Sequence, residues 1–330
     1  MSIRKLYLGK EETAGTAVPA TTIYRAEVSD IKDERTIVNP SENIGYIPKL
    51  TRAYTSQLLS TYTMPDHEAT FEQLPYLLNA GITADSPTQD GGGGYIRPYA
   101  FPTTAEKTID TYTLESRNVT EPIEMSFGFV SEFTMSGVAG EAWKITGAKW
   151  NGRQSTVTTF TGDLAVPTVE EMLFQKTKLY LDAYDGTLGA TVKTGTLLGA
   201  TINVVTGWNP LFTGDGNLFF TRAKFFNDLM AVTGSITFEF DGIATAEEAY
   251  WKAGTPRLMR LLTEGSTLAV AGTVYSKKTS IFECALLWTG FSELESRDGN
   301  DVVTLDFEAR LVPDKLFAQF VNVNALATLP

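Results

Sequence analysis

The residues that could do chemistry are few. The chain carries one histidine, His67, and one cysteine, Cys284. A structural zinc site takes about four nitrogen or sulfur ligands, so none can be assembled. His67 stands in Asp66-His67-Glu68-Ala69-Thr70-Phe71, which opens a His-Glu-x-x-His zinc motif and ends it on Phe71. The expectation for His67 is a surface or half-buried side chain. Cys284 lies in the apolar run Ile281-Phe282-Glu283-Cys284-Ala285-Leu286-Leu287-Trp288, the setting of a buried structural thiol. With no second cysteine, no disulfide forms within the chain. Serine hydrolysis would have to recruit His67, and no serine sits in a Gly-x-Ser-x-Gly elbow.

Other motifs fail in the same way. Asp90-Gly91-Gly92-Gly93-Gly94-Tyr95 is followed by no Lys-Ser or Lys-Thr, so it reads as a flexible loop and not a phosphate cradle. Asp215, Asp298 and Asp301 sit in Gly/Asn-rich stretches with too few regularly spaced oxygens for a calcium loop. They read as turn residues. Asn118-Val119-Thr120 is a glycosylation sequon only if the chain is secreted. Glycosidase-type carboxylate pairs are distant in sequence, and nothing singles one out. We expect no catalytic, cofactor-binding or metal-binding residue.

Charge narrows the partners. Acidic residues outnumber basic ones 39 to 27, a formal net charge of −12. The densest basic cluster is Lys277-Lys278, too little to release many counterions from a phosphate backbone. Met1-Ser2-Ile3-Arg4-Lys5-Leu6-Tyr7 has basic residues but no apolar run behind them, unlike a signal peptide. No stretch approaches the roughly 18 apolar residues of a membrane helix. The expectation is a chain kept in a reducing aqueous compartment, without membrane contact.

The elements that must position these residues are mostly strands. Threonine occurs 45 times, and its branched side chain suits a half-buried pleated surface. Period-2 alternation marks 111–116, 131–136, 235–240 and 302–311, with apolar residues on one face and Thr, Ser or Glu on the other. Turns are expected at Asp185-Gly186, Glu264-Gly265 and Asp298-Gly299. Short helices are expected at 71–81, between Thr70 as N-cap and a left-handed Gly81, and at 246–252 behind the capping box Thr245-Ala246-Glu247-Glu248. A second such box, Thr168-Val169-Glu170-Glu171, precedes Met172-Leu173-Phe174. The order of elements recurs: each half reads strands, short helix, long hairpin, with a boundary near Gly162 to Thr168.

The segment 31–53 breaks the pattern. It has two prolines and no clean period, yet it keeps Ile37, Val38, Ile44, Tyr46, Ile47 and Leu50. Long loops without secondary structure are functional or disordered, and disorder does not retain so many large apolar groups. We expect an extended assembly arm that buries these six residues against its own core or another subunit.

At this point a family likeness emerges. Leu8-Gly9-Lys10-Glu11-Glu12-Thr13-Ala14-Gly15-Thr16-Ala17-Val18-Pro19-Ala20-Thr21, then the arm, the helix ending at Gly81 and Tyr112-Thr113-Leu114-Glu115 follow one another as in tail tube proteins of long-tailed bacteriophages. Phe129-Val130-Ser131-Glu132-Phe133-Thr134-Met135-Ser136-Gly137 and Trp143-Lys144-Ile145-Thr146-Gly147-Ala148 extend the resemblance over nearly the whole chain, which is about twice the length of a minimal tube domain. The resemblance implies a mainly β fold of two tandem β-sandwich or barrel-like tail-tube domains, each with a short flanking α-helix. These would span 1–165, with the assembly arm 31–53, and 166–330. It implies rings of three chains, pseudo-hexameric, or alternatively of six. Rings would stack head to tail into a hollow, non-contractile virion tail, assembled in the host bacterial cytoplasm. Partners would be other copies, a tape measure protein inside, and tail terminator and distal tail proteins at the ends. DNA would pass without sequence-specific binding, since an acidic wall offers it no counterion release. No enzyme activity and no cofactor are implied. Two alternatives stay open: another β-rich virion component, such as a tail-end protein or a receptor- or sugar-binding adhesin, and a β-sandwich enzyme using distant carboxylates.

Overall fold

Alternating Thr-rich runs leave one face apolar and one wet, and here they fold into a mainly β protein of antiparallel ladders. The computed structural model describes residues 3–155, 159–162, 164–297, 299–313 and 315–329. Met1 and Ser2 of the N-terminal reading, Asp163 at the expected boundary and the expected turn residue Asp298 lie outside the described residues.

Strands of six residues or more are numbered here. The first half holds β1 (Arg4–Lys10), β2 (Lys32–Val38), β3 (Tyr54–Thr63), α1 (Leu74–Gly81), β4 (Tyr95–Ala100), β5 (Tyr112–Asn118), β6 (Pro122–Val138) and β7 (Lys144–Ser155). The second holds β8 (Thr177–Ala183), β9 (Leu197–Val205), β10 (Ala231–Glu239), α2 (Gly242–Ala253), β11 (Arg257–Thr267), β12 (Lys277–Phe291), β13 (Asn300–Ala309) and β14 (Ala318–Asn324).

In the first half the hydrogen-bonded order is β1-β5-β6-β7-β3-β2. In the second it is β8-β11-β12-β13-β10-β9. Setting β4 and β14 aside, each half runs three strands, a helix and three strands. Each pairs them first-fourth-fifth-sixth-third-second. The fifth strand is the longest in both, 17 residues in β6 and 15 in β12. Both bulge against the sixth strand, β12 between Trp288 and Gly290.

Two ladders join the halves. β9 lies on the distal part of β6, from Gly199 opposite Val138 to Val205 opposite Glu132. β4 pairs with β14, which in turn pairs with the first part of β12. The halves therefore share one core, in which Phe133, Trp143 and Trp150 meet Phe238, Trp288 and Phe320. Each such aromatic contributes about 1.5–3 kcal/mol by leaving water.

Local chemistry shifts several expected boundaries. All eight residues of α1 are buried. Thr70 accepts from the N–H of Gln73 at 3.2 Å, but Gln73 holds the cap position. Gly81 is the last helical residue and not a left-handed cap. Its absent side chain makes room, since a Cβ there would stand 2.9 Å from Thr206 Cγ2. α2 begins earlier than expected because the Asp241 carboxylate accepts from the N–H groups of Ile243 and Ala244, at 2.8 and 2.9 Å. Glu247 of the expected box is instead buried, paired with Arg257 at 2.8 Å and accepting from the Trp288 indole at 3.0 Å. The second box starts no α-helix. Its Glu170 turns to Ser266 and Lys278, and only a 3₁₀ turn, Phe174–Lys176, follows.

Two expected loops are also corrected. Glu264-Gly265 lies inside β11, where a register shift precedes Thr267. The glycine lies against the Phe71 ring, 2.6 Å from where a Cβ would be. The Gly-rich stretch is docked, not free: the Asp90 carboxylate accepts from Tyr275 N–H at 2.7 Å, and a Cβ on Gly92 would fall 2.2 Å from the Ala271 carbonyl oxygen.

Candidate assembly interface

The residues capable of chemistry are spent on the core. His67 is buried, a correction to the surface or half-buried expectation. Its Nε2 lies 3.0 Å from the Tyr24 hydroxyl and its Nδ1 2.8 Å from the Pro65 carbonyl oxygen. Burial holds its pKa below the usual histidine value, so the neutral ring is favoured. Cys284 is fully buried, and burial pushes its thiol pKa up, which disfavours the reactive thiolate. Among the described residues no three His, Cys, Asp or Glu side chains gather as a metal site would require. Among them, too, no helix is long and apolar enough to cross a membrane.

The expected arm divides into a strand and a tip. Ile31 is buried in the core, and residues 32–38 form β2 where no regular structure was expected. Among the described residues β2 pairs only with β3, and Lys32 through Ile37 are exposed. The tip, 39–53, is clipped at its neck by Glu42 N–H donating to the Lys49 carbonyl at 2.9 Å and by a 2.9 Å ion pair between Arg52 and Glu42. The tip holds out Ile44, Tyr46, Ile47 and Leu50, with Ile47 97% exposed. Val38 is half-buried and Ile37 is 58% exposed. The six arm residues thus split into two on a strand edge and four on the tip.

The matching connection in the second half behaves differently. It also links second strand to third, β9 to β10, and carries a hairpin of Trp208–Leu211 and Arg222–Phe225. This flap lies on the first half. Phe220 packs edge-on against Phe127 and Phe129, ring centroids 5.1 and 5.9 Å apart, and Leu58 N–H donates to the Leu218 carbonyl at 2.9 Å. The Arg153 guanidinium sits 4.6 Å from the Phe127 centroid and 5.0 Å from that of Phe220. It also donates to the Thr221 carbonyl at 2.6 Å. Sequence reasoning missed the flap, although Trp208, Phe212, Phe219, Phe220, Phe225 and Phe226 crowd one short stretch.

The joint beneath the flap has two faces. On the core side Phe133 and Met135 meet Ile202 and Val204, all buried. On the wet side Thr134 donates to Asn203 Oδ1 at 2.9 Å. That wet face continues across the joint through directly opposed pairs: Thr134 with Thr146, Ser136 with Thr201, Thr201 with Ser235, and Thr237 with Thr304. Glu132, Lys144, Lys149, Glu239, Asp306 and Glu308 are among the charges interspersed on it. It is a hydroxyl-rich surface shared by both halves.

An open edge in the second half was also missed. β11 pairs with β12 only as far as Leu286, and β13 and β14 lie on the opposite side. Beyond Leu286, that side of 287–297 has no strand partner among the described residues. Residues 293–297 are exposed, Leu294 by 53%. No family model matches this sequence, and no curated protein matches it either.

Proposed function

We propose that this chain is a structural subunit whose copies join edge to edge into rings that stack as a tube, like the phage tail tubes its sequence resembles. The repeated strand order carries the reading. Two halves of one design, which we take as tandem tube domains, are joined head to tail by β9 on β6, and such a joint leaves one unmatched edge at each end of the chain. A head-to-tail contact cannot satisfy itself within one copy. It passes to the next copy and closes as a ring when the rotation allows. With two halves per chain, three chains supply six equivalent units; a ring of six chains is the rival arrangement.

In this reading the hydroxyl-rich face lines the channel. Threonines and dispersed charges give passing DNA no basic track to bind. The arm tip reaches a neighbouring ring. The tape measure protein occupies the channel during assembly in the host cytoplasm, and terminator and distal tail proteins close the ends of the finished virion tail. No reactive group takes part and no cofactor is needed. Electron microscopy of the purified protein, with mass photometry of isolated rings, tests the proposal. Rings or tubes built of three chains support it; monomers at every concentration overturn it.

A further inference from the structure

The first half's second strand has no counterpart to what β9 meets. β9 is edged by β10 on one side and by distal β6 on the other. Its positional match, β2, is edged among the described residues by β3 alone. The distal part of β6 is in turn matched by residues 287–297, whose outer side is open. α2 packs on β12, with Trp251 stacked on Phe291, as α1 packs on β6. Each member of the internal joint therefore has a positional match, and both matches are free. Within one chain the two free edges do not pair.

Resting on the ring reading above, we propose that β2 of one copy pairs antiparallel with residues 293–297 of a second copy, Ile37 opposite Leu294 and Glu34 opposite Arg297. This register is chemically complementary. It brings together two large apolar side chains now exposed by 58% and 53%, and it sets an acid against a base on the other face. A one-residue slip would turn each side chain to the wrong face, so the pattern selects among alternatives two residues apart. The joint between copies then differs in kind from the joint within the chain. The internal one buries Phe133, Met135, Ile202 and Val204. The external one has a single apolar pair, flanked by Lys32, Asp33, Glu34 and Arg35 on one strand and Glu293, Glu295 and Arg297 on the other. It is the weaker and more salt-dependent of the two, because exposed charges are screened over about 8 Å at physiological ionic strength.

Two single-cysteine additions test this. Chains carrying Ile37→Cys and chains carrying Leu294→Cys are mixed and oxidised; Cys284 is buried and does not compete. Both replaced residues are exposed, so folding is retained. The expected result is a covalent pair in the mixture and none in either variant alone. Self-crosslinking of the Ile37→Cys chain would show β2 meeting its own copy and overturn the proposal. So would rings visible by microscopy with no crosslink in the mixture, which leaves the ring reading intact; a protein that never assembles overturns both. As a second measure, Glu34→Arg and Arg297→Glu are each expected to weaken assembly about tenfold in the concentration required, and the double variant to restore it. Absence of that rescue would overturn the stated register.

Discussion

The indole of Trp143, in the first half, donates to the hydroxyl of Thr263 in the second, 3.2 Å away, and also to Thr177 at 3.0 Å. A buried ring thus reads the position of two strands from the other half. Trp143→Ala removes that ring from the shared core and is expected to cost about 3–5 kcal/mol. Because the core is common, the loss should appear as one lowered transition in calorimetry and not as the melting of one half.

The flap is held by edge-on aromatic contacts as well as by backbone hydrogen bonds. Phe220→Ala should lower stability by about 3–5 kcal/mol, as for other large buried aromatics. Arg153→Ala should cost less, about 0.5–2 kcal/mol, from the lost cation–π contacts. Limited proteolysis should then cut within 207–226 in the variants before it cuts the wild type. Equal resistance of all three proteins would argue against the flap being held by these rings.

Acid should loosen the contact between 170, 72 and 278. Lys278 lies 2.6 Å from Glu72 and 3.0 Å from Glu170. Burial pushes the Glu170 carboxyl up, but hydrogen bonds from Ser266 and Lys278 outweigh it and hold its pKa below the usual glutamate value. A depressed carboxylate stabilises the fold above its unfolded pKa, and that contribution fades as pH falls through the folded value. Denaturant titrations between pH 7 and pH 3 should therefore show a shallower acid loss in Glu170→Gln than in the wild type.

Shortening the arm tip separates folding from stacking. Replacing 40–51 by a short Gly-Ser link removes Ile44, Tyr46, Ile47 and Leu50, none of which is buried, and keeps the core residue Ile31 and the strand β2. The melting temperature should be unchanged and rings should persist, while tubes disappear from electron micrographs.

The wet-and-dry alternation made β5, β6, β10 and β13 legible, because period 2 is a property of a few neighbouring side chains. What sequence could not expose was competition for the same polar groups. The Thr245 box lost to Asp241, which lies nearer the strand end, and Glu247 was drawn into the core by Arg257 and Trp288. Glu170 was taken by a lysine more than a hundred positions away. β2 was illegible because Lys32-Asp33-Glu34-Arg35 carries no apolar face; a strand exposed on its outer edge has nothing to alternate for. His67 was misjudged because its partner, Tyr24, is distant in sequence.

The loan of β9 to β6 has a consequence for synthesis. Residues 132–138 leave the ribosome well before 197–205, so for several seconds, at roughly 5–20 residues per second, the nascent first half lacks its own covering strand. During that interval a finished molecule's β2 could dock where β9 belongs. Translation that pauses between the halves would then seed defective polymers, so uninterrupted elongation or a chaperone waiting at that border would protect the cell's whole stock of subunits.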